Sequence, residues 1–363
     1  MSSKARVRFT KQNSQAGRLE VIPPAEGARA PCSCRHSRAG QEIGPKVVQR
    51  TVRASSKHSH QHSHIWRQPV SFESLLAASQ RLSASVETLA ALGAQLRFLQ
   101  NGRDGDSRVR ALLTDVARAI DPQLLEGLER QQQETALALI QTTFRQALDL
   151  LENPERAPGW TYEDPNILQS QGQPSWLIVR WVEAIAAHRP ELSEVLRRPG
   201  AFLDVGTGVG WLAIEAARSW PALRVVGIDP WEPALTLARK NLARSGLSKQ
   251  VELRPQRVES LEETATFTLA WVPGPFMSPE VVDRALERVR GALARGGWLI
   301  FGFYPIPSAP LEHALTLLRI LRSGGYPWTS KEVEDKLWSL VFEQIEVHSP
   351  APPVTLVVAQ RPK

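Results

Sequence analysis

The sequence predicts an α/β protein: a seven-stranded, mostly parallel sheet covered by helices on both faces and preceded by an all-α segment. Three observations predict it. From residue 196 onward, short β-rich runs alternate with amphipathic helical stretches, the pattern of a parallel sheet with crossover helices. The first run, AFLDVG, enters a turn carrying Gly206, Gly208 and Gly210 and passes directly into the helical GWLAIEAARSW. Upstream, residues 67–195 read as helical.

Taken in chain order, the helical segment starts at SFESLLAASQRLSASVETLAALGAQLRFLQNG. Ser71 is suited to cap its first turn, Glu73 suits the positive end of the helix dipole, and Asn101-Gly102 suits its end. Leu75, Leu82, Leu89 and Leu96 recur every seven residues. This favours packing within a helical cap that can be shared by a homodimer over a long coiled coil, because Ser79 and Gly93 interrupt the seam. A second long helix is expected from Asp121 as N-cap, with Pro122 at the first helical position, through Asn153.

In the α/β segment the expected strands are AFLDVG, RVVGID, QVELRP, FTLAWVP and WLIFGFY, with helices between them. The closing runs FEQIEVHS and TLVVAQR are joined by SPAPPV, too short for a crossover helix, so they must pair antiparallel if they pair at all. The domain organisation expected is therefore a tail (1–66), a helical cap or lid (67–195) and an α/β domain (196–363).

Residues 1–66 show no sustained period and read as a disordered basic tail. They hold twelve Lys/Arg against three acids, a net charge of +9, whereas the whole chain is at +7 and the remaining 297 residues at −2. The near-neutral body argues against a duplex-binding enzyme, which would carry a basic surface on its folded part. His58, His60, His62 and His64 alternate in SKHSHQHSH and could hold a divalent cation, but a polar low-complexity tract explains them equally simply, and no metal is expected at the functional site. Cys32 and Cys34 offer neither a disulfide framework nor good zinc spacing, which points to a cytoplasmic location. No apolar run approaches the roughly 20 residues that span a bilayer, so no membrane partner is expected.

The glycine turn narrows the ligand. A triphosphate-binding loop needs GxxxxGK[ST], and no lysine follows these glycines. A dinucleotide loop needs its third glycine one residue later, where Trp211 stands. The remaining pattern is DxGxGxG, with Asp204 inside the strand and Asp229 ending the next one, nineteen residues after Gly210. Asp229 can accept both hydroxyls of a ribose, and Asp204 can hold a cationic group or orient the loop. An adenosine without phosphate, carrying a positive charge, satisfies both; S-adenosylmethionine is such a molecule.

At these residues the sequence resembles the class I S-adenosylmethionine-dependent methyltransferases. The resemblance covers about residues 196–363 and is carried by FLDVGTGVG, GIDPWEPALTLARKNLARSG, VELRPQRVESL and ALARGGWLIF, in that order. It implies a Rossmann-like fold and S-adenosyl-L-methionine as cofactor. It also implies that Asp204, Gly206, Thr207, Gly208 and Gly210 form the donor loop, with Asp229, Pro230 and Trp231 at the adenosine and Val258 and Trp271 beside it. Arg257 stands where the family often has an Asp near the adenine amine, so Glu259 or the backbone at Val258 must serve there.

The acceptor site should follow the fourth strand, at WVPGPFMSPE. Family members that methylate adenine or glutamine amides often carry [ND]PP[YF] here, whereas this chain has Val272-Pro273-Gly274-Pro275-Phe276. Trp271, Pro273 and Phe276 would form an apolar wall for a small, apolar or aromatic acceptor, or simply cover the sheet edge. Tyr304, ending the fifth strand, and His313, in the next helix, are the candidate catalytic groups. Trp160, Tyr162 and Gln171 are candidates to close over the donor. The function expected is methyl transfer to a small molecule. The alternatives are transfer to protein or RNA through the basic tail, and a catalytically silent donor-binding module.

Overall fold

A computed structural model describes residues 71–102, 105–351 and 353–363; the alternating histidines and both cysteines lie outside the described residues. The N-terminal helices are α1 (Phe72–Asn101), α2 (Ser107–Ile120) and α3 (Arg130–Glu152). Ser71 caps α1 by accepting from the Ser74 N–H at 3.3 Å, and Gly102 ends it at φ +87°. The C-terminal part of α1, around the buried Leu96, packs against α2 and α3.

The expected helix start at Asp121 is not found. Asp121 instead closes α2 and accepts from the Gln123 N–H, capping only a run of turns. Gly127 then adopts φ +70°, a left-handed conformation that stops helix propagation. Helix α3 starts three residues later, with a capping box between Glu129 and Gln132.

Three shorter helices lead into the sheet: α4 (Pro165–Gly172), α5 (Trp176–Ala186) and α6 (Pro190–Arg197). The sheet contains β1 (Gly200–Val205), β2 (Leu223–Asp229), β3 (Val251–Pro255), β4 (Phe267–Pro273), β5 (Leu293–Phe303), β6 (Glu343–Ala351) and β7 (Val354–Gln360). Its order is β3-β2-β1-β4-β5-β7-β6. The first five strands are parallel, while β7 inserts antiparallel between β5 and β6. The closing strands thus form the antiparallel pair that their short connection demands.

Side-chain alternation along β1 builds two cores at once. Ala201, Leu203 and Val205 face one layer, with α9 (Pro279–Ala292) and α11 (Ser330–Ser339). Phe202 faces the other, with α5, α6 and α7 (Trp211–Ser219), where Trp298 and Ile300 of β5 also lie. Each large side chain fully buried there contributes on the order of 1.5–3 kcal/mol. Two further helices, α8 (Glu232–Ser245) after β2 and α10 (Pro310–Arg322) after β5, complete the fold. Because β1 and β4 are neighbours although β1 is followed by β2, the chain reverses its winding there. The crevice at the carboxyl ends of those strands is where an open α/β sheet binds ligands.

Candidate active site

A cavity of about 740 Å³ occupies that crevice. Its floor is the turn after β1. Gly206, Gly208 and Gly210 all have positive φ (+65°, +55° and +83°), which side-chain-bearing residues rarely adopt. The three do different work. A Cβ on Gly206 would stand 3.0 Å from the Pro273 ring, and one on Gly210 would stand 3.2 Å from Ala238 Cβ. A Cβ on Gly208 would meet only open space, its nearest neighbour being the Gly206 carbonyl at 3.9 Å. Gly208 therefore keeps room for a ligand. Gly210, which does not line the cavity, instead begins α7 and lets it approach α8.

Two buried carboxylates flank the turn. Asp229 Oδ2 accepts from the Gly208 N–H at 2.8 Å, and its Oδ1 accepts from the Trp231 N–H at 2.8 Å. Each oxygen keeps a second lone pair for a ribose hydroxyl. Burial pushes the Asp229 carboxyl up, against the pull of these two N–H groups. Asp204 Oδ2 accepts from the Thr207 hydroxyl at 2.6 Å, whereas its Oδ1 is buried with no partner. Burial is the main cause that pushes Asp204 up to about 7, and the nearby Asp229 charge adds to it. An orphaned carboxylate oxygen in a closed site calls for a cationic partner. The ammonium of a bound amino acid moiety meets that need. The residues present therefore fit S-adenosylmethionine: Asp204 and Thr207 would hold its methionine end above Gly206 and Gly208, Asp229 its ribose, and Pro230, Trp231 and Val258 its adenine.

The structure brings Asp204, Gly206, Thr207, Gly208, Asp229, Pro230, Trp231, Val258, Trp271, Pro273, Phe276 and Tyr304 to this one cavity. Arg257 and Glu259 also line it, but Glu259 is engaged by Arg284 at 3.6 Å. His313 is not brought there. It lies exposed on the first turn of α10, its Nδ1 within 3.2 Å of the Pro307 carbonyl.

The chain between α3 and α4 roofs the cavity. Trp160 packs edge-on against Phe276, with ring centroids 5.1 Å apart, and against Tyr162 at the same distance. Tyr162 lies behind Trp160 and does not line the cavity; its carbonyl accepts from the Trp231 indole N–H at 2.7 Å. A half-buried polar cluster holds this strap. Asp149 of α3 accepts from Arg156, from the Tyr162 hydroxyl and from Arg322 of α10, at 3.1, 2.9 and 2.6 Å. Burial pushes the Asp149 carboxyl up, but the bonds from Arg322 and Tyr162 and the charges of Arg156 and Arg322 outweigh it and hold it below the usual range. Sequence reading missed this cluster, and also Trp181 of α5, which lines the cavity.

A family of methyltransferase domains matches residues 202–297 of the chain. Release factor glutamine methyltransferase of Rhodopirellula baltica is 31% identical over 137 residues, covering 38% of this chain and 45% of that protein. The chain thus spans less than half of that relative's length. A protein of Pyrobaculum calidifontis named "Probable cobalt-precorrin-6B C(15)-methyltransferase (decarboxylating)" is 31% identical over 139 residues, covering 36% of this chain and 68% of that one. Among solved structures, an O-methyltransferase family protein from Burkholderia thailandensis superposes with a TM-score of 0.57 at 14% identity. That alignment covers 82% of this chain and 99% of the other, so the shared fold takes in helices upstream of the sheet.

Fold, turn geometry and these similarities together define a methyltransferase domain built on a Rossmann-like sheet. The chain belongs to the class I S-adenosylmethionine-dependent methyltransferases, the family whose methyl donor the cavity residues fit.

Proposed function

We propose that this chain transfers the donor's methyl group to a small apolar or aromatic molecule bound beneath Trp160. The observation that carries this reading is the roof. Trp160, clasped to Phe276, closes a cavity whose acceptor end is walled by Trp271, Phe276, Met277 and Phe303. Such a site suits a compact acceptor better than a polymer chain. S-adenosylmethionine supplies an electrophilic methyl on a sulfonium. The protein's part is to place the acceptor in line with it and to keep water out. The strap does both, because Asp149 holds it at Arg156 and at the Tyr162 hydroxyl, and Trp231 holds it at the Tyr162 carbonyl.

A protein acceptor is the second reading, favoured by the match to release factor glutamine methyltransferase over 38% of this chain. Against it, the end of β4 and the turn that follows offer Val272, Pro273 and Gly274, with no polar side chain for an amide. Transfer of labelled methyl to a panel of small phenols, thiols and carboxylates, run beside a protein and RNA extract, tests the proposal. Label is expected in the small molecules and should persist when residues 1–66 are removed. Label confined to the macromolecular fraction, lost with the tail and at high salt, would overturn it.

We also propose that the chain acts in the cytoplasm as a homodimer formed through α1. Phe72, Leu75, Leu82 and Val86 are exposed along α1 and continue the seam that buries Leu96. No helix among the described residues is long and apolar enough to cross a membrane.

A further inference from the structure

Two amide side chains hold the glycine turn from outside the cavity. Asn241 of α8 is buried, and its Nδ2 donates to the Val209 carbonyl at 2.9 Å. The same Nδ2 donates to Oε1 of Gln169 on α4 at 3.1 Å, while Gln169 Nε2 donates back to Asn241 Oδ1 at 3.1 Å. Trp211, the first residue of α7, donates its indole N–H to Gln169 Oε1 at 2.9 Å. Every direction in this network is fixed. An indole N–H only donates and a backbone carbonyl only accepts, so turning either amide over would set N–H against N–H or oxygen against oxygen. Val209 and Trp211 line the cavity, whereas Gln169 and Asn241 do not.

Both ends of the network fall on the turn. Val209 lies between Gly210 and Gly208, whose N–H is already held by Asp229. Helix α4 meets Val209 twice more. A Cβ on Gly172 would collide with Val209 Cγ2, so the end of the helix rests on that side chain, and Leu168 packs in one cluster with it.

We propose that Gln169 is a positioning residue of the methyl-donor turn, which makes the helical segment upstream of the sheet part of the donor site as well as a roof for the acceptor. The inference rests on reading the glycine turn as that site. Acting through Trp211 and Asn241, Gln169 fixes the start of α7 and the Val209 carbonyl. The turn then meets its ligand already in shape and loses less freedom on binding. Leu168, Gln171 and Gly172 of the same helix line the cavity, so the element that shapes the donor floor also bounds the acceptor space.

Calorimetric titration of S-adenosylhomocysteine into full-length protein tests this. Gln169→Leu keeps the bulk of the side chain and removes the amide; it is expected to weaken binding about tenfold, the scale of one or two lost hydrogen bonds. Trp211→Phe, which keeps an aromatic ring and removes the indole N–H, should weaken it about threefold and decides the matter alone if Gln169→Leu does not fold. The double variant should bind within about twofold of Gln169→Leu, because both changes break one network. Hydrogen exchange at the backbone of residues 206–211 should be faster in each ligand-free variant. Wild-type affinity in a folded variant, or losses that multiply in the double variant, would overturn the assignment. The network would then only join α4 to α8, seen as a lowered unfolding temperature with affinity intact. If wild type binds and the variants do not weaken, the role of Gln169 alone fails; if wild type does not bind, the methyltransferase reading fails and this inference with it.

Discussion

The backbone N–H of Gly208 donates to Asp229 Oδ2 at 2.8 Å, which ties the donor loop after β1 to the acid that ends β2. The carboxylate proposed to hold a ribose thus also shapes the glycine turn. Its other oxygen holds the Trp231 N–H, and the Trp231 indole holds the strap through the Tyr162 carbonyl. Loop, adenosine edge and roof are one connected unit.

Asp229→Ala should therefore weaken donor binding on the order of a hundredfold. It removes hydrogen bonds to a charged group, worth roughly 1.5–3 kcal/mol each, and leaves two backbone N–H groups unpaired. Calorimetry should show the lost affinity, and thermal unfolding of the ligand-free protein should shift to lower temperature. Unchanged donor affinity would mean that Asp229 only shapes the loop.

Asp204 gives the protein a pH dependence. Its folded value, about 7, lies above the unfolded carboxyl, so between the two the native state holds a proton that the unfolded state has released. The stability this group contributes is present at acid pH and is lost as the pH rises through about 7. Asp204→Asn should consequently stabilise the ligand-free protein at about pH 8 relative to wild type, read by chemical denaturation. The same change should abolish ammonium recognition. Wild-type donor affinity should rise between about pH 6 and about pH 8 as Asp204 ionises, and that rise should be absent in the variant.

Trp160→Ala removes two edge-on aromatic contacts, each worth about 0.5–1.5 kcal/mol, and unroofs the acceptor end. The expected result is an acceptor KM raised about tenfold with donor affinity almost unchanged. A loss of donor affinity with no change in acceptor KM would place Trp160 at the other end of the cavity.

Asp149→Ala would leave Arg156 and Arg322 without their shared partner, with all three side chains less than one-fifth exposed. Breaking a fully buried pair costs about 3–5 kcal/mol, and the partial exposure of this cluster lowers the expected cost to about 1–3 kcal/mol. Denaturant unfolding should register most of that loss, and the strap should become more open to limited proteolysis. A loss below about 1 kcal/mol would make the cluster equivalent to a surface ion pair.

The self-association proposed for α1 can be separated from the chemistry. Leu82, 61% exposed, and Val86 lie on the seam away from the cavity. Leu82→Glu with Val86→Glu should give a monomer in sedimentation measurements while donor binding is retained. A wild-type monomer would dispose of the homodimer.

What the sequence made legible was local in the chain. The DxGxGxG turn and Asp229 sit in adjacent strand-turn-helix units, so fixed spacing carries their chemistry. The alternation that predicts the sheet is local for the same reason, as is the short SPAPPV link that forces β6 and β7 antiparallel. Two kinds of feature escaped. One was the helix start misplaced at Asp121, where a sound N-cap and Pro122 were overridden by Gly127 at φ +70°. The other was contact between residues far apart: Asp149 meets Arg322 across 173 positions, and Gln146 meets Gln171 from separate helices. Polar clusters of that kind have no spacing signature, since each member alone looks like an ordinary surface residue. His313 failed for a related reason, because its chain position next to β5 did not reveal that the first turn of α10 faces outward.

The central claim is that the turn at Gly206–Gly210 holds an adenosyl sulfonium donor. Calorimetric titration of S-adenosylmethionine, S-adenosylhomocysteine and NAD into wild type and Gly208→Val tests it most directly. Wild type is expected to bind both adenosyl ligands and not NAD. Gly208→Val, strained at φ +55° and filling the space kept for the ligand, should bind none of them while keeping its helical and sheet content. Wild-type protein that fails to bind S-adenosylmethionine, or a Gly208→Val variant that binds it normally, would contradict the account.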